Sequence, residues 1–164
     1  MKSMGDLIRD WNGTNKRINM LMNDKLPRII GNEAVRAVRQ NFISQGYDSG
    51  IGKESWPARA DKTNKAYDRR GILKGSVYRS GNPLLLQTRN LYNAVQYKII
   101  GKLVIIGVDE TLIPYAKRMN EGGGGVPPRK FMPEPDEPPN MKILKAIKKK
   151  YESELNNAMG GMKL

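Results

Sequence analysis

The chain has 164 residues, 29 basic and 16 acidic side chains, a net charge of +13, and neither cysteine nor histidine. The missing cysteines exclude disulfides, thiol catalysis and zinc sites of the cysteine type. The missing histidines remove the commonest general base and most transition-metal sites. No apolar run approaches the roughly 20 residues that span a bilayer, so the composition points to one soluble domain made in a cytoplasm, with a basic surface suited to nucleic acid or to acidic protein faces.

Residues 6–22 predict a broken terminal helix. Leu7, Ile8 and Trp11 share one face, Asn12-Gly13-Thr14-Asn15 interrupts it, and Ile18, Leu21 and Met22 resume the pattern. Such a face either caps the core or grips a neighbouring chain, and capping is the expectation for a terminal helix. Residues 26–45 predict a continuous helix. Ile30, Ala34, Val38 and Phe42 recur at every fourth position, Pro27 suits a first turn, Asp24 a cap and Gly46 a stop.

Residues 46–83 read as a long irregular loop, with Trp56 beside Pro57 as its anchor. Gly50-Ile51-Gly52-Lys53-Glu54-Ser55 looks like half of a phosphate-binding loop. Tyr47 stands where that pattern needs its first glycine, and Glu54 stands where it needs Ser or Thr, so a plain glycine-rich loop is the better account. Basic residues interleave with tyrosines further on. Arg59, Lys62, Lys65, Arg69, Arg70 and Arg79 are candidates for contacting a single-stranded nucleic-acid backbone.

Thr88 predicts a cap for a short helix through Asn90-Leu91-Tyr92. Val95, Tyr97 and Ile99 then alternate with polar residues, Gly101-Lys102 turns the chain, and Leu103 to Val108 returns as a more apolar strand. That order is a hairpin signature with a type II′ turn. Asp109 or Thr111 would cap a helix carrying Pro114 in its first turn, with Tyr115, Ala116 and Met119 on its apolar face and Gly122 at its end.

Residues 122–140 open with four glycines and hold six of the ten prolines. Ordering four glycines costs on the order of 4–8 kcal/mol, so the run is expected to be mobile or held by a partner. The acidic residues Glu134, Asp136 and Glu137 lie in a proline tract that reads as an extended solvated arm rather than a metal site. From Met141 onward, Leu144, Ile147, Tyr151 and Leu155 share one helical face and Lys142, Lys145, Lys148 and Lys149 cover much of the rest.

The expected fold is therefore α+β, with a small antiparallel sheet built on the 95–108 hairpin. The sheet packs against helices at about 26–45, 112–121 and 141–156, with long loops. The expected organisation is one domain over 1–164: a helical segment 1–25, a core 26–121, a Gly/Pro-rich arm 122–140 and a C-terminal helix 141–157.

Several of these patches, in this order, resemble the virion morphogenesis proteins of long-tailed bacteriophages, also called tail completion or neck proteins. The resemblance spans roughly residues 27–150. It runs from the helix 27–45 through Trp56-Pro57 and the basic residues of 62–74 to Leu85-Leu86-Gln87-Thr88-Arg89-Asn90-Leu91 before a strand. Ile106-Gly107 then precedes Tyr115-Ala116, Asn120-Glu121-Gly122 and Pro127-Pro128-Arg129-Lys130-Phe131, and a C-terminal helix closes the order. The last of these segments is similar to the family's Pro-x-Arg-x-Phe. Family members often carry glycine where Arg89 stands and histidine where Met119 stands.

The resemblance implies a non-enzymatic structural subunit of the head–tail junction. It would have no catalytic residue, metal or cofactor, and no membrane contact. Its partners would be other neck and tail proteins and copies of itself in a ring, with nucleic acid bound non-specifically at most. It would be found in the host bacterial cytoplasm during assembly and afterwards in the virion. Trp56, Tyr115, Asn120, Gly122, Pro127, Pro128, Arg129 and Phe131 would form the protein interface, with Arg129 and Phe131 as its anchors because Arg and aromatics dominate interface energetics. The alternative is a basic nucleic-acid-binding protein using the 53–79 loop.

Overall fold

Helix α1, Met4–Met20, runs through a five-residue π-helical turn, Leu21–Lys25, into helix α2, Leu26–Ser44. The computed structural model describes residues 3–57, 84–86, 88–134, 136–138 and 140–160. The expected interruption at Asn12–Asn15 does not occur. A capping box holds the start, where the Ser3 side chain accepts from Asp6 N and Asp6 accepts from Ser3 N. Thr14, buried, receives a hydrogen bond from Arg17. Packing at that point outweighs the weak helix propensity of Gly13.

Pro27 lies in the first turn of α2, but the helix is entered from the π turn rather than from a loop, and Asp24, inside that turn, caps nothing. The π turn is the physical substitute. Proline has no N–H and its ring crowds the carbonyl four residues back. Just before it, Leu26 N–H bonds to Leu21 O, five residues back, so the ordinary ladder has already been shifted when the proline arrives.

The other elements are strands β1 (Gly46–Asp48) and β2 (Lys53–Ser55), helix α3 (Asn90–Ala94), strands β3 (Val95–Ile100) and β4 (Leu103–Val108), and helices α4 (Ala116–Glu121) and α5 (Met141–Met159). The strands form two antiparallel two-stranded sheets, β1 with β2 and β3 with β4, so the class is α+β. The β3–β4 hairpin lies where its alternation put it. Gly101 has φ +61° and Lys102 does not share that sign, as a type II′ turn requires. The β1–β2 hairpin was not legible: its strands are three residues long and pair Gly46 with Ser55 and Asp48 with Lys53. Ser49 N bonds to Gly52 O across the turn, so the half-match to a phosphate loop is a hairpin tip.

The chain divides into two compact units. The first comprises Met1–Arg36, Gln96–Ile106 and Pro139–Leu164. Here α5 runs antiparallel to the long helix. Arg17 Nε donates to Ala158 O at 2.8 Å, Lys25 pairs with Glu154 at 2.7 Å, and Lys150 pairs with the buried carboxylate of Glu33. Gly31 lets the Tyr97 ring lie directly on α2, since a Cβ there would stand 2.4 Å from the ring. The Met4–Trp11 face does not cap this unit: its apolar side chains are half exposed or more.

The second unit comprises Ala37–Val95 and Gly107–Pro138. Phe42 is its hub, fully buried. Trp56 and Tyr92 meet it edge-on at 5.7 and 5.9 Å between ring centroids, and Phe131 lies against it at 5.0 Å. Val38, Leu91, Val95, Ile113 and Ala116 are also buried in this unit. Helix α2 ends at Ser44, and the residue that stops it is Gln45 rather than Gly46. Gln45 takes the left-handed conformation (φ 54°), and its side chain donates to Phe42 O and Leu84 O and accepts from Leu84 N. Gly46 serves a different purpose, because a Cβ there would lie 2.4 Å from Glu54 O and block the hairpin.

Candidate protein-docking site

Between Asp109 and Glu137 the described residues of the second unit carry a series of hydrogen bonds, some local and some from distant parts of the chain. Asp109 Oδ1 accepts from Thr111 N at 2.9 Å, and the Asp109 backbone carbonyl accepts from Ile113 N to close one turn. Pro114 follows, and α4 starts only at Ala116, four residues later than the cap residue's position suggested. Ala116 is buried against the core and Tyr115 faces outward.

The glycine run is an ordered turn held within its own chain, whereas the expectation is a run either mobile or held by a partner. Gly123 N bonds to Val126 O and Val126 N to Gly123 O, at 3.0 and 3.1 Å. The central pair, Gly124 and Gly125, both have positive φ (58° and 80°), as a type I′ turn demands. Gly122 ends α4 at φ 83°, ψ −170°, a region essentially reserved for glycine. Arg118 repays part of the ordering entropy from the preceding helix: Nε donates to Gly123 O at 3.1 Å and a terminal nitrogen to Gly124 O at 2.9 Å. Glycine composition alone gives no sign of this, because the donor lies outside the loop.

The segment after the turn is fastened at almost every peptide. Arg129 N donates to Met119 O at 2.8 Å. Asn120 Oδ1 accepts from Phe131 N and Met132 N, at 2.9 and 3.0 Å. Trp56 Nε1 donates to Lys130 O at 2.7 Å, and Asn41 Nδ2 to Phe131 O at 3.0 Å. In this extended stretch alternate side chains point to opposite sides. Arg129 and Phe131 go inward and are buried, while Pro128 stays exposed and Lys130 is half-buried.

This arrangement corrects the anchor assignment. Phe131 is 1% exposed and Trp56 8% exposed, so both are core side chains of their own unit, and Arg129 is buried beside them. None of the three can anchor a partner while the unit is folded. Of the predicted interface set, Tyr115, Pro127 and Pro128 remain on the surface, and Asn120 and Gly122 act as internal fasteners. Leu112, an exposed apolar residue on the Asp109 turn, joins the outward set; no periodicity marked it.

The acidic end of the proline tract is likewise not a free arm. Tyr47 OH donates to Glu137 Oε2 at 2.5 Å, Lys130 pairs with Glu137 and with Glu134, and the Lys130 ammonium sits 4.9 Å from the Tyr47 ring centroid. Burial, followed by the hydrogen bond to Glu137, pushes the Tyr47 hydroxyl well above its ordinary range. Burial opposes the charges on Glu137 and Lys130. Their mutual hydrogen bond and attraction prevail, lowering the carboxyl and raising the ammonium.

No family model matches this chain. No curated protein and no solved structure matches it either.

Among the described residues, no group of three or more carboxylates stands close enough to hold a metal ion, and no helix is long and apolar enough to cross a membrane. The nucleic-acid candidates Arg59, Lys62, Lys65, Arg69, Arg70 and Arg79 lie outside the described residues.

Proposed function

We propose that this chain is a non-enzymatic structural subunit of the head–tail junction of a long-tailed bacteriophage, a neck or tail-completion protein that works by docking onto neighbouring proteins. One observation carries the reading. The Tyr-Ala helix, the glycine turn and Pro-x-Arg-x-Phe form one connected device, in which Arg118 and Asn120 of α4 clamp the turn and the strap after it, and Arg129 and Phe131 lock into the core. The resemblance therefore rests on a folding unit rather than on separate short matches. Arg89 adds support. It adopts φ 57°, the left-handed conformation that glycine takes without strain, and the family often has glycine there.

In this reading the pinned turn and strap shape the subunit surface, and Leu112, Tyr115, Pro127 and Pro128 face the neighbours. The partners are other neck and tail proteins and further copies in a ring with heterologous contacts. The protein would act in the host cytoplasm during assembly and remain in the virion. The test is deletion of its gene from the phage or prophage that encodes it. Negative-stain images should show filled heads and finished tails that fail to join, with joining restored by the intact gene. Normally joined particles without the protein would overturn the reading.

A second reading, nucleic-acid binding, is favoured by one feature of α5. Lys142, Lys145 and Lys149 follow one outward helical face, all exposed. Phosphate contacts release counterions, so duplex binding through Z of them would fall with a log–log salt slope of about −0.9Z. A slope near −3 that flattens when these lysines become glutamine would support that reading over protein docking.

A further inference from the structure

The apolar stripe of α1 does not stop where its cover stops. Met4, Leu7, Ile8, Trp11, Thr14, Ile18 and Leu21 follow a heptad-like spacing along one face. The lower half is covered within the first unit: Thr14 and Leu21 are buried, and α5 engages this end of the helix through Arg17 and Lys25. Between Lys25 and Arg17 the partner on α5 moves from Glu154 to Ala158, one residue short of the end of that helix. The stripe then continues over two more turns with no covering element among the described residues. Met4 is 74% exposed, Leu7 50%, Ile8 55% and Trp11 57%.

Two turns of helix are marginal alone, and glycine in a helix interior costs about 1 kcal/mol relative to alanine. This half carries Gly5, and Gly13 follows just beyond it. A helix that is weak by propensity and apolar on one face takes most of its stability from whatever that face packs on.

We propose that the Met4–Trp11 face of α1 docks onto the same face of a second copy of this chain, antiparallel, about a two-fold axis between Leu7 and Ile8. The residues are self-complementary in that orientation. Leu7 faces Ile8 of the other copy and Met4 faces Trp11, so a long flexible side chain meets a broad flat one. Asp6 and Arg9, which pair within the helix at 2.8 Å, lie on the opposite side of the helix and leave the stripe itself uncharged. The helix dipoles oppose, whereas a parallel pair would bring two positive N-terminal ends together.

Charge favours the same occupant. The chain carries +13 overall, which repels a second copy across most of its surface. From Met4 to Trp11 the charges are Asp6, Arg9 and Asp10, so two copies meet there without that repulsion. The patch is small, on the order of 500 Å² per copy with one aromatic in it, against roughly 800 Å² per partner in stable complexes. The pairing is therefore concentration-dependent, with dissociation constants of about 10 µM to 1 mM. It belongs to the free chain and does not rest on the phage reading.

Sedimentation velocity of the full chain across that range is the direct test. A reversible dimer is expected, with the Trp11 emission shifting to the blue as it forms. Leu7→Glu should weaken association at least about tenfold, because it buries an unpaired charge, and leave the helical circular dichroism unchanged because Leu7 is half exposed. The absence of cysteine makes cross-linking clean. Ile8→Cys should form a disulfide-linked dimer readily and Met4→Cys should not. A chain that stays monomeric to about 1 mM, a dimer indifferent to Leu7→Glu, or the reverse cross-linking pattern would overturn the proposal. So would a Trp11 already shielded from quencher in the monomer, which would place a segment of the same chain on the stripe.

Discussion

The guanidinium of Arg118 donates to the carbonyl oxygen of Gly124 at 2.9 Å, six residues further along the chain. Together with the bond to Gly123 O, one planar side chain fixes two consecutive peptides of the glycine turn. A lysine offers a point charge without that fork. Arg118→Lys should therefore raise amide exchange at Gly123 and Val126 about tenfold, in line with roughly 0.5–1.5 kcal/mol per hydrogen bond lost. Unchanged exchange would mean that the turn holds itself.

The four glycines are not equivalent. Gly122 sits in a region closed to other residues, and a Cβ there would stand 3.0 Å from the backbone nitrogen of Pro128. Gly125 has open space around its Cβ position and needs only a positive φ. Gly122→Ala should destabilise the second unit by about 2–3 kcal/mol, whereas Gly125→Asn should cost under about 1 kcal/mol, since asparagine tolerates the left-handed region. Urea denaturation of the two variants checks the ranking.

Phe131→Ala should remove about 3–5 kcal/mol, the usual range for deleting a buried aromatic. Phe131→Leu should lose much less, because it leaves a smaller cavity. Trp56 is the natural reporter, since it and Phe131 pack on the same Phe42 ring. Loss of assembly in Phe131→Ala is thus expected to follow loss of folding. A variant that stays folded while failing to assemble would return Phe131 to the interface.

The Tyr47–Glu137–Lys130 cluster sets a pH window. Glu137 is lowered in the folded chain, so its contribution is present above the ordinary carboxyl value of 4.5 and is lost as pH falls through the folded value. Lys130 and Tyr47 are raised, so theirs is complete below the ordinary values of 10.5 and 10.0 and is lost as pH rises past them. Stability from this cluster should be flat between about pH 5 and 9 and fall on both sides. Glu137→Gln should flatten the acid limb, measured as the urea midpoint at pH 3.5 against pH 7.

Much of this was legible in the sequence. The β3–β4 hairpin follows from the alternation of Val95, Tyr97 and Ile99, the Gly101-Lys102 turn and the apolar return strand, and α5 from a long amphipathic pattern. Both are local patterns several residues deep, where period and turn chemistry agree. The β1–β2 hairpin was not legible, because three-residue strands carry too little periodicity to register.

The sequence alone determined the chemistry that is ruled out by missing cysteine and histidine, the periodic elements and the order of the Tyr-Ala, glycine and Pro-x-Arg-x-Phe segments. Only the tertiary structure decided which way those residues face. The sequence reads Arg129 and Phe131 as surface anchors, but an extended segment exposes whichever alternate set its surroundings leave uncovered. Phe42, Asn41 and Trp56, more than seventy residues away in sequence, made that choice. The same holds for α1: its stripe is apolar throughout, and only the position where α5 ends divides the covered half from the open one.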